Sequence, residues 1–487
     1  METTDAPAHT YDVIVIGAGP VGENVADRVV RAGMSAALVE GELAGGECSY
    51  WACIPSKALL RPRAALVAAR SVDGARGAVR SRVDTRAALT RRDSFVSEWR
   101  DDAQVSWIRS AGIALHRGWG ELVGERRVRV SGAGDAELLA ARTAVVLATG
   151  SAAVVPDIPG LAEVGAWTNR EATQASAPPQ RLAVIGGGPV GCELAAIWRS
   201  LGSHVTMLVR SPALLGGWEP FVGEAVGQGL RDAGVRVRHE VQATRATRGS
   251  DNTVTLQLDD GSTLDCDEVL VATGRRPRTD HLGLGNVGLA AGEWLQVDDT
   301  CRVPAVDGGW LYATGDVNHR NLLTHMGKYQ ARACADALVA RWRDGGAQLD
   351  ADLAAGRAAW RPWAATADHS AVPQVLFTVP EAASVGLTEE QARAAGVRVR
   401  AVEYALGDVA GAALAADGYT GRAKIVIDED RRTLVGCTFV GPDVGELLHA
   451  ATIAVVGEVP LDRLWHAVPA FPSMNEVWLR LLEAYGL

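Results

Sequence analysis

Two stretches of this 487-residue chain repeat one pattern 169 positions apart: an aliphatic run, a Gly-x-Gly-x-x-Gly turn, an amphipathic run and a second aliphatic run. The first spans Tyr11 to Glu40 and carries Gly17, Gly19 and Gly22; the second spans Arg181 to Arg210 and carries Gly186, Gly188 and Gly191. In such a turn the first glycine allows a tight bend from strand to helix, and the second lets the backbone approach a pyrophosphate. The third lets the helix pack on the strand, leaving the helix N-terminus facing the phosphates. The expected fold class is therefore α/β, with two Rossmann-like dinucleotide-binding units.

The copies diverge at the end of their second strand. Glu40 lies eighteen residues after Gly22, where a carboxylate accepts hydrogen bonds from ribose hydroxyls. The position 169 further on is Val209, followed by Arg210, whose charge and fork geometry suit a 2′-phosphate. The first unit is thus expected to hold FAD, and the second to favour NADPH while leaving NADH open. Three further strand ends share the letters ATG: Val145 to Gly150 (with Thr149), Val269 to Gly274, and Leu311 to Gly315, which continues into Asp316. Strand ends of open α/β sheets face the ligand crevice, so a carboxylate at 316 is placed to bind a cofactor's polyol chain.

Seven cysteines, Cys48, Cys53, Cys192, Cys266, Cys301, Cys334 and Cys437, are too few and too odd a set for a secreted disulfide framework. Only Cys48 and Cys53 are close, inside GGECSYWACIPSK from Gly45 to Lys57. The N-terminal METTDAPAHT is polar, and no run of eighteen apolar residues occurs, so a soluble, cytoplasmic protein with a catalytic or metal-binding cysteine pair is expected. A net charge of -10 argues against nucleic acid and anionic membranes as partners. Lysine is almost absent, Lys57, Lys328 and Lys424 being the whole complement, which singles out the one beside the cysteines. If Pro55 begins a helix, Cys53 sits just before its N-terminus, where the dipole and open N–H groups favour a thiolate.

Taken together, these residues resemble the pyridine nucleotide-disulfide oxidoreductases, the group of dihydrolipoamide dehydrogenase, glutathione reductase and mercuric reductase. PQVLFTVPEAASVGLTEEQA, Pro373 to Ala392, looks like the start of that family's interface domain. The resemblance implies an FAD-binding domain over 1–153 and 276–345, an NAD(P)-binding domain over 154–275, and a C-terminal α+β interface domain over 370–487 that makes a homodimer. Between them, the Ala, Gly and Asp-rich segment from Trp342 to Ser370 reads as a surface connection. The resemblance also implies electrons passing from NADPH through FAD to a Cys48/Cys53 redox disulfide, and on to a small disulfide or dithiol substrate. Cys53 is then the thiol touching the flavin and Cys48 the exchanging one. Gly46 lies in the cofactor site, and Lys57, near the flavin, pairs with Glu193.

The pattern breaks in two places. Thiol-exchanging members carry His-Pro-Thr-x-x-Glu near the C-terminus, the histidine shuttling the thiol proton and the glutamate orienting it. This chain reads Phe471-Pro472-Ser473-Met474-Asn475-Glu476; Glu476 is present, the histidine is not, and His466 is the nearest candidate base. That departure keeps open an acceptor needing no thiol proton shuttle: a quinone, a metal ion or a specialised metabolite. Mercury is disfavoured because EAYGL lacks that enzyme's terminal cysteine pair. Between the cysteines, Tyr50 and Trp51 replace smaller residues; they either narrow the substrate approach or pack.

Overall fold

Each glycine turn is built in the same way. Strand His9–Ile16 buries Val13 to Ile16 and runs into Gly17; helix Pro20–Arg31 follows, with Gly19 as N-cap and Pro20 in its first turn. Proline there has the φ a helix needs and lacks only an N–H that would have no helical partner. Strand Arg181–Ile185 and helix Pro189–Ser200, capped by Gly188, repeat this arrangement. This is a computed structural model that describes residues 7–132 and 134–487, so most of the polar N-terminal stretch lies outside the described residues.

The chain divides into two units. The first comprises Met1–Ile54, Asp93–Ala152 and Gly274–His369. Its sheet runs in the order Ala114–Arg117, Ala36–Glu40, His9–Ile16, Glu137–Leu147, Arg127–Ser131, Trp119–Gly124, with Leu311–Ala313 lying parallel to Glu137–Leu147. Alternate residues of the central strand feed two cores: Val13 and Val15 pack with Val25, Val29 and Leu338, whereas Ile14 and Ile16 pack with Leu122, Leu147 and Leu311. Burial on both faces is what a parallel strand requires.

The second unit comprises Pro55–Arg92, Ala153–Thr273 and Ser370–Leu487. It holds a parallel sheet, in the order Arg236–His239, His204–Val209, Arg181–Ile185, Glu268–Val271, and an antiparallel one of Ala243–Arg248, Val254–Leu258 and Thr263–Cys266. A five-stranded antiparallel sheet, Pro373–Leu376, Glu381–Gly386, Thr433–Gly441, Arg422–Asp428, Val399–Ala405, carries the C-terminal helices. The observed class is α/β with two dinucleotide-binding units and a C-terminal α+β portion.

Helix Cys53–Arg70 contains Pro62, which has no N–H to give to the carbonyl of Ala58. Arg91 Nη1 donates to that carbonyl instead, at 2.9 Å. Lys424, its side chain 8% exposed, lies between Glu219 and Glu389, both at 2.8 Å, with Glu403 at 3.6 Å. A buried ammonium is tolerated only with such partners.

The segment from Trp342 to Ser370 is not a mere surface connection. It forms helix Ala347–Ala354 and the turn Thr366–His369, and buries Leu349, Ala364 and Ala365. Its Asp368 accepts from Gln330 Nε2 at 2.9 Å, and the buried Gln330 accepts in turn from Gly315 N–H and Asn318 Nδ2, both at 2.8 Å. The apparent linker therefore supports the ATGD turn. No helix among the described residues is long and apolar enough to cross a membrane.

Candidate functional site

The two glycine turns share a detail that also explains the ATG strand ends. A Cβ on Gly17 would lie 2.4 Å from the carbonyl oxygen of Ala148, and one on Gly186 would lie 2.3 Å from that of Ala272. Both alanines open an ATG. Both glycines also have positive φ, +106° and +122°, so only glycine fits on two counts. Gly22 and Gly191 press on the carbonyls of Gly17 and Gly186, whereas a Cβ on Gly188 would meet open space, the face a pyrophosphate needs.

In the first unit the cysteine segment docks on the glycine turn. Gly45 N–H donates to Ala18 O at 2.7 Å, and a Cβ on Gly46 would lie 2.8 Å from the Cα of Gly19. Glu40 accepts the N–H groups of Ala18 and Glu42 on separate oxygens, each at 2.8 Å. Burial raises its pKa and these two bonds oppose the rise. Asp316, also raised by burial, accepts from Ser151 Oγ; Arg275 reaches Ser151 through Nε and Nη2, and lies near Glu47. Three buried oxygens here have no partner among the described residues: Thr149 Oγ1, Thr314 Oγ1 and Glu23 Oε1. Two are the threonines of ATG strand ends. Bare glycine backbone, a held carboxylate and unsatisfied hydroxyls at the strand ends fit a dinucleotide such as FAD.

Cys48 lies in the short helix Gly46–Tyr50, and Cys53 is the first residue of helix Cys53–Arg70. Cys53 was expected just before a helix beginning at Pro55; the helix instead starts two residues earlier. A proline in the first turn costs no hydrogen bond, so it does not mark the first residue. Cys53 Sγ contacts Thr324 Oγ1 at 3.3 Å. These two cysteines are partly exposed and the other five are buried. Burial pushes the thiols of Cys192 and Cys266 up to about 12 and those of Cys301, Cys334 and Cys437 well above normal. Those five thiols are thereby disfavoured as thiolates.

Tyr50 and Trp51 pack. They form a small core with Leu43, Val96 and Trp99, and Trp99 Nε1 donates to Tyr50 O at 3.2 Å. Ser97, Glu98 and Trp99 all have φ between +50° and +55°, a left-handed turn of non-glycine residues costing about 1–2 kcal/mol each. Burial of the aromatic rings offsets that strain.

One turn beyond Cys53 on the same helix, Lys57 Nζ bonds Glu193 Oε2 at 2.7 Å. Glu193 is itself buried, and its Oε1 accepts Phe377 N–H at 3.0 Å; Lys57 lies 5.2 Å from the Phe377 ring centroid. Phe377 was missed as a site residue, although it stands in the quoted PQVLFTVPE stretch. Arg275, Ser151 and Gln330 were missed too; Arg275 and Ser151, each directly after an ATG, carried a signal, and Gln330 carried none.

Arg210 is exposed and has no hydrogen-bond or ion-pair partner among the described residues. Gly150 and Gly274 both have positive φ and open space where a Cβ would stand. At the C-terminus Phe471 is 76% exposed. Glu476 is buried, its Oε1 bonded to Arg480 at 2.6 Å and its Oε2 without a partner among the described residues. His466 is exposed and shares no hydrogen bond with Glu476 among the described residues.

A family model described as pyridine nucleotide-disulphide oxidoreductase matches residues 11–335, and one described as its dimerisation domain matches 372–481. Dihydrolipoyl dehydrogenase of Thermus scotoductus is 32% identical over 481 residues, 98% of this chain and 97% of that one. Mercuric reductase of Staphylococcus aureus is 29% identical over 473 residues, 96% of this chain and 81% of that one. A solved structure, the Cu(II) complex of the HOCl-induced flavoprotein disulfide reductase RclA from Escherichia coli, matches with a TM-score of 0.82 at 24% identity, over 97% of this chain and 99% of that one. That last likeness is one of fold.

Proposed function

This chain belongs to the pyridine nucleotide-disulphide oxidoreductases, and from that premise we propose that it carries two electrons from NADPH to the Cys48/Cys53 pair and on to a small disulfide. The family is one of FAD-dependent enzymes using pyridine nucleotides. When bound, the flavin supplies two-electron exchange between a nicotinamide and a disulfide. The net reaction, NADPH, a proton and RSSR giving NADP⁺ and two RSH, balances with the cysteine pair alternating between disulfide and dithiol.

The chain's own residues take the following roles. Gly17, Gly19, Gly22, Glu40, Gly46, Thr149, Gly150, Gly315 and Asp316 hold the FAD; Gly186, Gly188, Gly191, Gly274 and Arg210 hold the nicotinamide nucleotide. Residues 1–153 with 276–345, 154–275 and 370–487 are assigned as FAD-binding, NAD(P)-binding and interface domains. Cys48 exchanges with substrate, and Cys53 faces the flavin. Lys57, fixed by Glu193, places a positive charge one helical turn from Cys53. The observation that carries the reading is the confinement of accessible thiols to Cys48 and Cys53.

Anaerobic titration with NADPH tests it: the protein takes up two equivalents per flavin, and Cys48→Ser takes up one. One equivalent in both refutes a redox-active pair. Arg210 supports NADPH as donor, so Arg210→Ala should raise the KM for NADPH about ten-fold and leave NADH unchanged.

The interface portion exposes Leu414, Ile453, Val456, Trp465, Val468 and Phe471, which supports a homodimer. Phe471 also favours a second reading of the acceptor. A phenylalanine takes no proton, and Glu476 is bonded to Arg480, so a quinone or metal ion reduced without thiol exchange suits this C-terminus better than a dithiol. Turnover of quinone by Cys48→Ser at the parent rate selects that reading; its loss selects the disulfide.

A further inference from the structure

The nucleotide end of the first unit carries an aromatic side chain with no role in the scheme above. Strands Ala36–Glu40 and Ala114–Arg117 are parallel neighbours whose last residues, Glu40 and Arg117, are register partners. Gly118 N–H donates to Glu40 O at 2.9 Å, which folds the next residue, Trp119, over the end of the strand pair. There the indole lies on Gly41. A Cβ on Gly41 would be 2.6 Å from Cδ2 and 2.8 Å from both Cε2 and Cε3 of Trp119. Three ring atoms at nearly equal distance mean that the ring meets Gly41 with its face. Trp119 as a residue nonetheless remains 61% exposed.

A large apolar ring left so open, in a chain that buries Trp198 and Trp310 almost completely, needs an account. Its neighbours supply one. Glu40 is the carboxylate that faces a ribose, and its position is fixed by the N–H groups of Ala18 and Glu42. In a nucleoside the base is attached at C1′, next to the 2′-hydroxyl, so a ribose held by Glu40 puts its base within a few ångströms of Gly41. Arg117, which could compete for that space, is turned away: its Nη1 donates to Glu42 O at 2.9 Å and its Nη2 pairs with Asp101. Glycine at 41 then has a purpose. Any side chain there would displace the ring.

We propose that Trp119 is the stacking platform for the adenine of the dinucleotide held by the first unit. The inference rests on that unit holding FAD. Stacking of a base on an aromatic face needs no sequence-like readout and draws on the full π-surface, which an indole offers more of than any other side chain.

The test uses the holoenzyme. Flavin release after dilution is followed by flavin fluorescence in the parent, Trp119→Ala, Trp119→Phe and, as a control, Trp360→Ala, an exposed tryptophan elsewhere in the unit. Trp119→Ala should release flavin about ten-fold faster, Trp119→Phe within about three-fold of the parent since it keeps a smaller stacking face, and Trp360→Ala at the parent rate. The second readout is AMP added to flavin-stripped protein: it should quench tryptophan emission in the parent and fail to do so in Trp119→Phe. Release at the parent rate from Trp119→Ala overturns this proposal alone. Equal impairment of the alanine and phenylalanine variants with a lowered Tm also overturns it, as a fold defect. Parent protein that binds no FAD overturns it together with the functional reading.

Discussion

Replacing Glu193 with glutamine tests the Lys57 ion pair with almost no change of shape. The carboxylate is 8% exposed, and its oxygens serve different donors: Lys57 Nζ at 2.7 Å and Phe377 N–H at 3.0 Å. Glutamine has one acceptor and one donor, so however the amide is turned its NH₂ confronts a donor. The cost is one hydrogen bond and the desolvation of the group left unserved, about 1–3 kcal/mol. Lys57→Met leaves a buried carboxylate with only the Phe377 N–H. Breaking a fully buried pair costs about 3–5 kcal/mol, and since the Lys57 side chain is 37% exposed water screens the pair and brings the expectation to about 2 kcal/mol. In the double variant glutamine turns its oxygen to Phe377 and its NH₂ to a side chain that is no donor. The double variant should therefore be no less stable than either single one. Guanidinium melts of all four proteins at one fixed flavin concentration give the comparison, because bound ligand shifts apparent stability. Additivity of the two single effects within about 0.5 kcal/mol refutes the coupling.

Burial pushes the carboxyl of Asp368 up to about 6, against the opposing pull of Arg320 and Gln330. A raised folded-state value means that the proton-bound form stabilises the fold below about pH 4, and that this contribution is lost as pH rises through about 6. Asp368→Asn does not titrate, so its stability relative to the parent should climb by about 2–3 kcal/mol between pH 4 and 7.5; thermal melts differing by a constant amount across that range refute this. Pro62→Ala restores the N–H that Ala58 O lacks, so Arg91→Ala, costing about 1–3 kcal/mol in the parent, should cost less than half as much in the Pro62→Ala background. Equal costs in urea melts dispose of the substitution of Arg91 for the missing helical bond. Gly186→Ala should abolish the fluorescence enhancement of NADPH on binding, since its Cβ would stand 2.3 Å from the Ala272 oxygen; affinity within two-fold of the parent refutes the assigned role of that contact.

What could be read from the chain beforehand follows distance along it. The glycine turns and Glu40 were legible because strand, turn and helix are local, and their demands on φ and on small size are written in adjacent letters. The ATG repeats were visible, but not their purpose, because Ala148 meets Gly17 only across neighbouring strands. Phe377 lies 184 positions from the carboxylate it holds, and no local pattern announces such a bond. Tyr50 and Trp51 allowed two readings; the choice depended on Trp99 folding back over them through a left-handed turn that the letters Ser97-Glu98-Trp99 do not favour. The segment after Trp342 looked like linker by composition, yet its alanines are small enough to pack closely and its Asp368 is a buried acceptor.

The scarcity of lysine gains a practical meaning from where the three side chains lie. Lys424 is enclosed by glutamates at 8% exposure, while Lys57 keeps 37% of its side chain open. An amine-acylating reagent therefore meets two accessible lysines, Lys57 and the partly exposed Lys328, with Lys57 as the reporting residue and the enclosed Lys424 as an internal standard for the fold. Peptide mass spectrometry of such labelling would follow, in one experiment and without mutation, both the occupancy of the Glu193 pair and the integrity of the fold around it.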